Sequence, residues 1–228
     1  MEDYLAELAR RLSEQLGDQL LAAWVVGSSA LGDFDAARSD VDVQALSTEH
    51  LGHDRLRVLA SALTEVPCPV RGLEFVLYAR GEVPRFSLNL NTGPGMDHHE
   101  GYDPDAEEPF WFTLDVAIAR EHARELLGPH PREVLPELPR HLIAHAARES
   151  LAWWQGYDPG QAILAACRAW AWAWEDRWLS KGEAAAWAIP RLTDSSPITL
   201  ALSSRTGGPG PTADQAAFVV AHAEHALA

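Results

Sequence analysis

The stretch Val25 to Leu46, which reads VVGSSALGDFDAARSDVDVQAL, decides the fold of this chain. An apolar run leads into it and predicts a buried strand that ends at Gly27-Ser28, where the chain must turn. After a polar loop, the alternation of Asp40-Val41-Asp42-Val43 predicts a second strand. Successive side chains on a strand point to opposite faces, so Asp40 and Asp42 share one face.

The two aspartates indicate a cation site. Cα atoms two residues apart on a strand lie about 6.5–7 Å from each other, and carboxylates so placed repel unless a cation lies between them. Mg²⁺ prefers oxygen ligands and typically takes one or two carboxylates together with substrate phosphates. Asp40 and Asp42 are therefore predicted to be Mg²⁺ ligands. The alternative is a solvated strand face, because surface carboxylates are common.

A third carboxylate follows on a later strand. In VRGLEFVLY, residues 70–78, the apolar side chains of Leu73, Phe75 and Leu77 share one face and place Glu74 on the other. A half-buried strand commonly has one wet face, so Glu74 can simply be exposed. The aspartate pair upstream favours a place for Glu74 in a site.

The order of these motifs resembles the signature of the nucleotidyltransferase superfamily that includes DNA polymerase β. Within it, the chain is most similar to the aminoglycoside adenylyltransferases that modify streptomycin and spectinomycin. The resemblance implies that Gly27, Ser28 and Ser39 hold the phosphates of ATP and that the two aspartates hold Mg²⁺. It also implies that Glu74 is the general base that deprotonates the acceptor hydroxyl.

The resemblance continues in the C-terminal half. Arg168 and Lys181 match the positions at which the family places an arginine and a lysine that hold the nucleotide's phosphates across an interdomain cleft. Lys181 is the only lysine in the chain, although a surface lysine at a helix start is the alternative. Asp158, ten residues before Arg168, matches a carboxylate that binds the drug, with Trp154 beside it. The short loop shows no second acid, which favours a spectinomycin-like acceptor over streptomycin.

The fold class predicted is α+β. A nucleotidyltransferase domain with a mixed β-sheet flanked by helices is expected at residues 1–131, followed by an all-α helical-bundle domain at residues 132–228. A proline-rich linker marks this boundary. Further expectations are a helix capped at Ser47-Thr48-Glu49, a long polar loop over residues 92–109 that is functional or mobile, and a helix over residues 110–127.

Composition limits the classes of partner. The net charge of −15 argues against nucleic-acid binding, which relies on basic patches, and is compatible with a small cationic acceptor. No apolar run is long enough to cross a membrane. The two cysteines do not make a disulfide framework, and the acidic N-terminus shows no signal-peptide pattern. A cytoplasmic location is therefore expected, and the protein is expected to be a monomer.

The sequence thus predicts an enzyme that transfers AMP from Mg-ATP to a hydroxyl of an aminoglycoside-type antibiotic. Two alternatives stay open. One keeps nucleotidyl transfer but changes the acceptor to a lincosamide, another metabolite or a protein. The other is a non-catalytic nucleotide-binding sensor or antitoxin-like protein. The three carboxylates count against the sensor, because such a protein has no reason to keep like charges crowded.

Overall fold

The computed structural model describes all 228 residues, and these form two compact units, Met1–Glu137 and Leu138–Ala228. The first unit contains a mixed six-stranded sheet with helices, and the second contains helices alone. The predicted α+β fold class is therefore confirmed. The boundary between residues 131 and 132, taken from the prolines, stays a prediction.

The secondary structure of the first unit alternates between the sheet and its helices. Its strands are β1 (Leu20–Val25), β2 (Val41–Ser47), β3 (Leu73–Ala79), β4 (Phe86–Thr92), β5 (His99–Gly101) and β6 (Arg124–Leu127). Its helices are α1 (Glu2–Leu16), α2 (Gly27–Ala30), α3 (His53–Thr64), α4 (Pro109–His122) and α5 (Pro131–Val134). The second unit consists of α6 (Arg140–Tyr157), α7 (Pro159–Glu175), α8 (Lys181–Ala188), α9 (Ser196–Ser204) and α10 (Ala213–Leu227).

The sheet has the strand order β5-β4-β3-β2-β1-β6. Only β2 and β3 run parallel, and α3 connects them; every other neighbouring pair is antiparallel. The parallel register places Asp42 opposite Glu74. Two carboxylates far apart in sequence are therefore neighbours on one face of adjacent strands, which is the arrangement that the sequence predicted.

The other face of the sheet carries the core. Leu8 and Leu12 of α1 and Leu59 of α3 pack with the alternate strand residues Val43 and Phe75, and all five are buried. Leucines recur every three to four residues along α1, which gives that helix one apolar face. This packing fixes the register of β2 and β3, because a slip of one residue would move the apolar side chains to the polar face.

The helix predicted over residues 110–127 ends earlier than expected. Helix α4 stops at His122, and β6 pairs antiparallel with β1 at the edge of the sheet. The next residues hold it there, since Trp24 Nε1 donates to the carbonyl of Pro129 (2.8 Å). Gly128 lies so close to β1 that an added Cβ would approach the carbonyl oxygen of Leu21 to 2.3 Å.

Two other local predictions are corrected. Ser47 does not cap a helix: it is the last residue of β2, and its hydroxyl donates to the carbonyls of Glu49 (2.8 Å) and Tyr78 (3.1 Å). The helix that follows, α3, begins only at His53. The segment over residues 92–109 is not one long loop, because β5 adds a strand to the edge of β4.

The second unit is built around α7, which packs against α6, α8, α9 and α10. Trp170, Trp174 and Trp178 recur every four residues; Trp170 on α7 and Trp178 just beyond it are buried, whereas Trp174 is 71% exposed. Asp158 caps α7, and Ser180 caps α8 through a capping box with Glu183. No helix in the chain combines the length and the apolar character that a membrane span requires.

Candidate active site

The Gly27-Ser28 turn lies directly against the second strand. The amide of Val26 donates to the carbonyl of Asp42 (2.9 Å), and the next residue, Gly27, has φ +61°. A Cβ on Gly27 would lie 2.0 Å from Oδ2 of Asp42. Glycine is therefore required here for two reasons, the left-handed backbone and the space that the Asp42 carboxylate occupies.

This contact gives a matched pair of variants. Gly27→Ala is expected to destabilise the protein and to weaken Mg-ATP binding, because the methyl group displaces the Asp42 carboxylate. Gly32→Ala has similar backbone strain, φ +73°, but nothing within 4 Å of the added Cβ. It should cost about 1–2 kcal/mol of stability and leave nucleotide affinity unchanged. Thermal unfolding and calorimetric titration with Mg-ATP test both, and equal nucleotide affinities in the two variants would contradict the expectation.

The structure brings the three predicted carboxylates together. Glu74 makes side-chain hydrogen bonds to Asp40 and to Asp42, and all three carry mutual electrostatic interactions. Asp40 lies one residue before β2, rather than within it, and its two oxygens contact Nη1 of Arg71 at 2.7 and 2.6 Å. The acidic group therefore extends from the start of β2 to the start of β3.

The proximity of these groups raises two pKa values. Burial raises the pKa of Asp42 well above its usual range, and the charges of Glu74, Asp115 and Asp40 add to the effect. Burial, followed by the charges of Asp40 and Asp115, raises the pKa of Glu74 to about 7, which the Arg71 guanidinium partly offsets. Glu74 is nevertheless the one exposed residue of β3. A solvent-facing carboxyl with a pKa near neutrality suits a general base.

Asp115 is a fourth carboxylate at this site, and the sequence analysis missed it. It lies on α4, and its charge acts on Asp42, Glu74 and Tyr78. The usable signal was a single aspartate inside the apolar run PFWFTLDVAIA, residues 109–119. Asp115 therefore adds to the local excess of negative charge that a cation would neutralise.

The residues present fit Mg²⁺. Asp42 lies beside the negative charges of Glu74, Asp115 and Asp40, so a bound cation would relieve repulsion among these carboxylates. Asp40 already shows an affinity for positive charge, because it pairs with the guanidinium of Arg71. No group of three His, Cys, Asp or Glu side chains in the chain has the geometry of a complete metal site. A cation at Asp40 and Asp42 would therefore need ligands from a bound molecule, and phosphate oxygens are the usual ones for Mg²⁺.

Ser28 and Ser39 border the same loop. The carbonyl of Ser28 accepts from the amide of Asp33 (3.0 Å). The Ser39 hydroxyl accepts from the amide of Asp35 (3.0 Å), and the Ser39 amide donates to the carbonyl of Asp35 (2.7 Å). These bonds fold the loop that separates β1 from β2. Phosphate binding by the two serines and by Gly27 stays a prediction.

Arg168 lies on α7, and Lys181, the first residue of α8, reaches the same side of α7. Arg168 Nε donates to the carbonyl of Leu179 (3.1 Å), and Lys181 Nζ donates to Oε1 of Gln161 (2.8 Å). Gln161 and Arg168 are seven residues apart on α7, which is two helical turns, so they share a face. The structure therefore brings the two predicted phosphate-binding cations to the same face of one helix, and their role stays a prediction.

Asp158 has a structural role that the sequence analysis did not assign. Its Oδ1 accepts from the amides of Gly160 (2.8 Å) and Gln161 (3.1 Å), so Asp158 caps α7. It also lines a cavity of about 290 Å³ with Gln161 and Arg205. Trp154 lies in an aromatic cluster, with its ring centroid 6.3 Å from that of Tyr157. Acceptor binding by Asp158 and Trp154 stays a prediction.

Known proteins resemble this chain in sequence and in fold. Residues 133–228 match the family model described as the C-terminal domain of aminoglycoside adenylyltransferase. An aminoglycoside (3'') (9) adenylyltransferase of Shigella flexneri is 26% identical over 215 residues, covering 84% of this chain and 82% of that protein. A spectinomycin 9-adenylyltransferase of Staphylococcus aureus is 26% identical over 226 residues, covering 90% and 84%.

A solved structure agrees with the architecture. The crystal structure of spectinomycin adenyltransferase AAD(9) from Enterococcus faecialis, with ATP and spectinomycin, superposes with a TM-score of 0.75 at 16% identity. The match covers 100% of this chain and 99% of that one, so both units share that protein's fold. With the C-terminal domain model and the near full-length relatives, this makes the chain similar to the aminoglycoside adenylyltransferases in both of its units.

Proposed function

We propose that the protein transfers AMP from Mg-ATP to a hydroxyl of an aminocyclitol antibiotic of the spectinomycin type. The observation that carries the proposal is the meeting of Asp40, Asp42 and Glu74 beside Gly27, on the two parallel strands of the sheet. Further support comes from relatives named for this activity and from a solved relative crystallised with ATP and spectinomycin.

In the proposed reaction each side chain has one task. Asp40 and Asp42 hold Mg²⁺, which when bound supplies positive charge that neutralises the phosphates during attack at the α-phosphorus. Glu74 accepts the proton of the acceptor hydroxyl. The hydroxyl oxygen then forms a bond to the α-phosphorus, the bond from that phosphorus to the bridging oxygen breaks, and pyrophosphate leaves with the electron pair.

The phosphates have further proposed partners. Gly27, Ser28 and Ser39 are assigned to them by their family positions, as are Arg168 and Lys181. The shared α7 face of the two cations supports joint action on one anionic group. Charge-assisted hydrogen bonds from arginine and lysine are the usual means of binding phosphate.

The acceptor is proposed to be cationic. A chain with a net charge of −15 attracts cations, and Asp158 and Trp154 supply a carboxylate and an aromatic ring on the second unit. The short loop before Asp158 offers no second acid, which favours spectinomycin over streptomycin. We further propose a cytoplasmic monomer, in keeping with two free thiols, Cys68 and Cys167.

A single assay tests this function. Purified protein with Mg-ATP is given spectinomycin, streptomycin, lincomycin or no acceptor, and pyrophosphate release is followed together with the mass of the acceptor. Spectinomycin is expected to release pyrophosphate and to gain one adenylyl group, with streptomycin slower. ATP binding without turnover on any acceptor would favour the sensor, and turnover on lincomycin alone would overturn the assignment of the acceptor.

A further inference from the structure

Arg71 pairs with Asp40, one of the two predicted metal ligands. Its Nη1 contacts both Asp40 oxygens, at 2.7 and 2.6 Å. The Asp40 side chain is only 15% exposed, whereas the Arg71 side chain is 45% exposed. The guanidinium therefore neutralises the predicted metal ligand in the metal-free protein while its own far side faces solvent.

The backbone at Arg71 is fixed, so only its side chain has room to move. The amide of Gly95 donates to the carbonyl of Arg71 (2.8 Å), and the carbonyl of Gly72 accepts from Val41 (2.8 Å). Gly93, with φ +148°, approaches Gly72 so closely that an added Cβ would lie 2.4 Å from its Cα. Strand β2 on one side and the turn after β4 on the other thus hold the main chain at the base of Arg71.

A divalent cation at Asp40 would compete with Arg71 for the same oxygens. Nη1 contacts both oxygens of Asp40, so a metal that approaches this carboxylate from the same side would replace at least one of these contacts. A guanidinium is rigid and planar and binds phosphate with the same paired geometry as carboxylate. The phosphates that accompany the metal are therefore the natural new partner for the displaced group.

We propose that Arg71 is a positioning residue that exchanges partners: it pairs with Asp40 in the metal-free protein and with phosphate oxygens of the nucleotide once a divalent cation occupies Asp40. The inference rests on the proposed function, because it requires a metal-bound nucleotide at this site. It gives Arg71 two opposite effects, since the same side chain hinders binding of the metal alone and favours binding of the metal with nucleotide.

The test separates these two effects without using turnover. Arg71→Met keeps an unbranched apolar stem and removes the charge, and Arg71→Lys keeps the charge without the planar fork. The control is Arg85→Met, because Arg85 also makes two contacts to one carboxylate, that of the exposed Asp105 (2.6 and 2.9 Å), at the opposite end of the β3–β4 hairpin. Binding of Mn²⁺ alone is measured from its free electron paramagnetic resonance signal, and binding of a non-hydrolysable ATP analogue with Mg²⁺ by calorimetry.

For Arg71→Met we expect tighter binding of Mn²⁺, by severalfold, and weaker binding of the Mg-nucleotide, by about tenfold or more. Arg71→Lys should fall between Arg71→Met and the wild type in nucleotide affinity, and it carries the test if Arg71→Met does not fold. Arg85→Met should change neither. Parallel losses of both affinities, an unchanged nucleotide affinity, or an unchanged Mn²⁺ affinity would each overturn the proposal. Failure of the wild type to bind Mg-nucleotide would instead refute the proposed function.

Discussion

Glu74→Gln is expected to lower the rate of AMP transfer by about 10²–10⁴-fold, because the variant keeps the shape of the side chain and loses the proton acceptor. Affinity for Mg-ATP should change little, since the Mg²⁺ ligands proposed are Asp40 and Asp42. The rate is measured under single-turnover conditions, which isolates the chemical step from release of product. Glu82→Gln, at the exposed turn after β3, is a suitable control.

The pH dependence gives the same prediction a second readout. The carboxylate of Glu74 must be ionised to accept a proton, and its pKa is raised to about 7 in the metal-free protein. The wild-type kcat/KM should therefore rise with pH and level off near or above neutrality, and a bound cation would move this midpoint down. The residual kcat/KM of Glu74→Gln should not show this rise with pH. Wild-type rates in the variant, or an unchanged pH profile, would show that Glu74 is not the base.

The sequence was sufficient for the part of the site that lies on central strands. Alternate residues of β2 and β3 form one apolar face, and its packing against α1 and α3 buries Val43 and Phe75 and excludes a slip of one residue. The same packing places Asp42 and Glu74 on the opposite face, and in the observed register they lie side by side. Tertiary packing agrees here with the local pattern, which is why short motifs predicted the arrangement.

Prediction failed where tertiary contacts override local preference. The residues Arg124–Leu127 continue an apolar helical pattern, but the free edge of β1 offers backbone hydrogen bonds that a helix end would not use. Asp115 was missed for a related reason, since its place over the sheet follows from how α4 packs and not from its neighbours in sequence. At Asp158 the local sequence offered a second explanation, because the side chain caps α7. This structural role accounts for an aspartate at that position without a bound ligand.

Asp42→Asn is expected to abolish activity and yet stabilise the metal-free protein. Loss of a proposed metal ligand should lower the transfer rate by at least about a hundredfold, since even the outer-shell partners of metal ligands are worth 10–100-fold. The stability effect has the opposite sign because the pKa of Asp42 is raised well above its usual range by burial and by Glu74, Asp115 and Asp40.

The sign of the stability change follows from proton linkage. A carboxyl whose pKa is higher in the folded than in the unfolded protein stabilises the fold at low pH and loses that contribution as pH rises towards the folded pKa. Asparagine cannot ionise, so Asp42→Asn should unfold at a higher temperature than the wild type at pH 8, and the gap should close as pH falls towards 4. Thermal unfolding without divalent metal, at pH 5 and pH 8, measures this.

The response of the unfolding temperature to Mg²⁺ tests whether the carboxylates are grouped in order to bind a cation. Added Mg²⁺ with a non-hydrolysable ATP analogue should raise the unfolding temperature of the wild type and have little effect on Asp42→Asn, because a ligand stabilises only the state that binds it. Repulsion among the carboxylates around Asp42 would then both destabilise the protein without metal and favour binding of the cation. A wild type that is no less stable than Asp42→Asn at pH 8 without metal would refute this account of the acidic site.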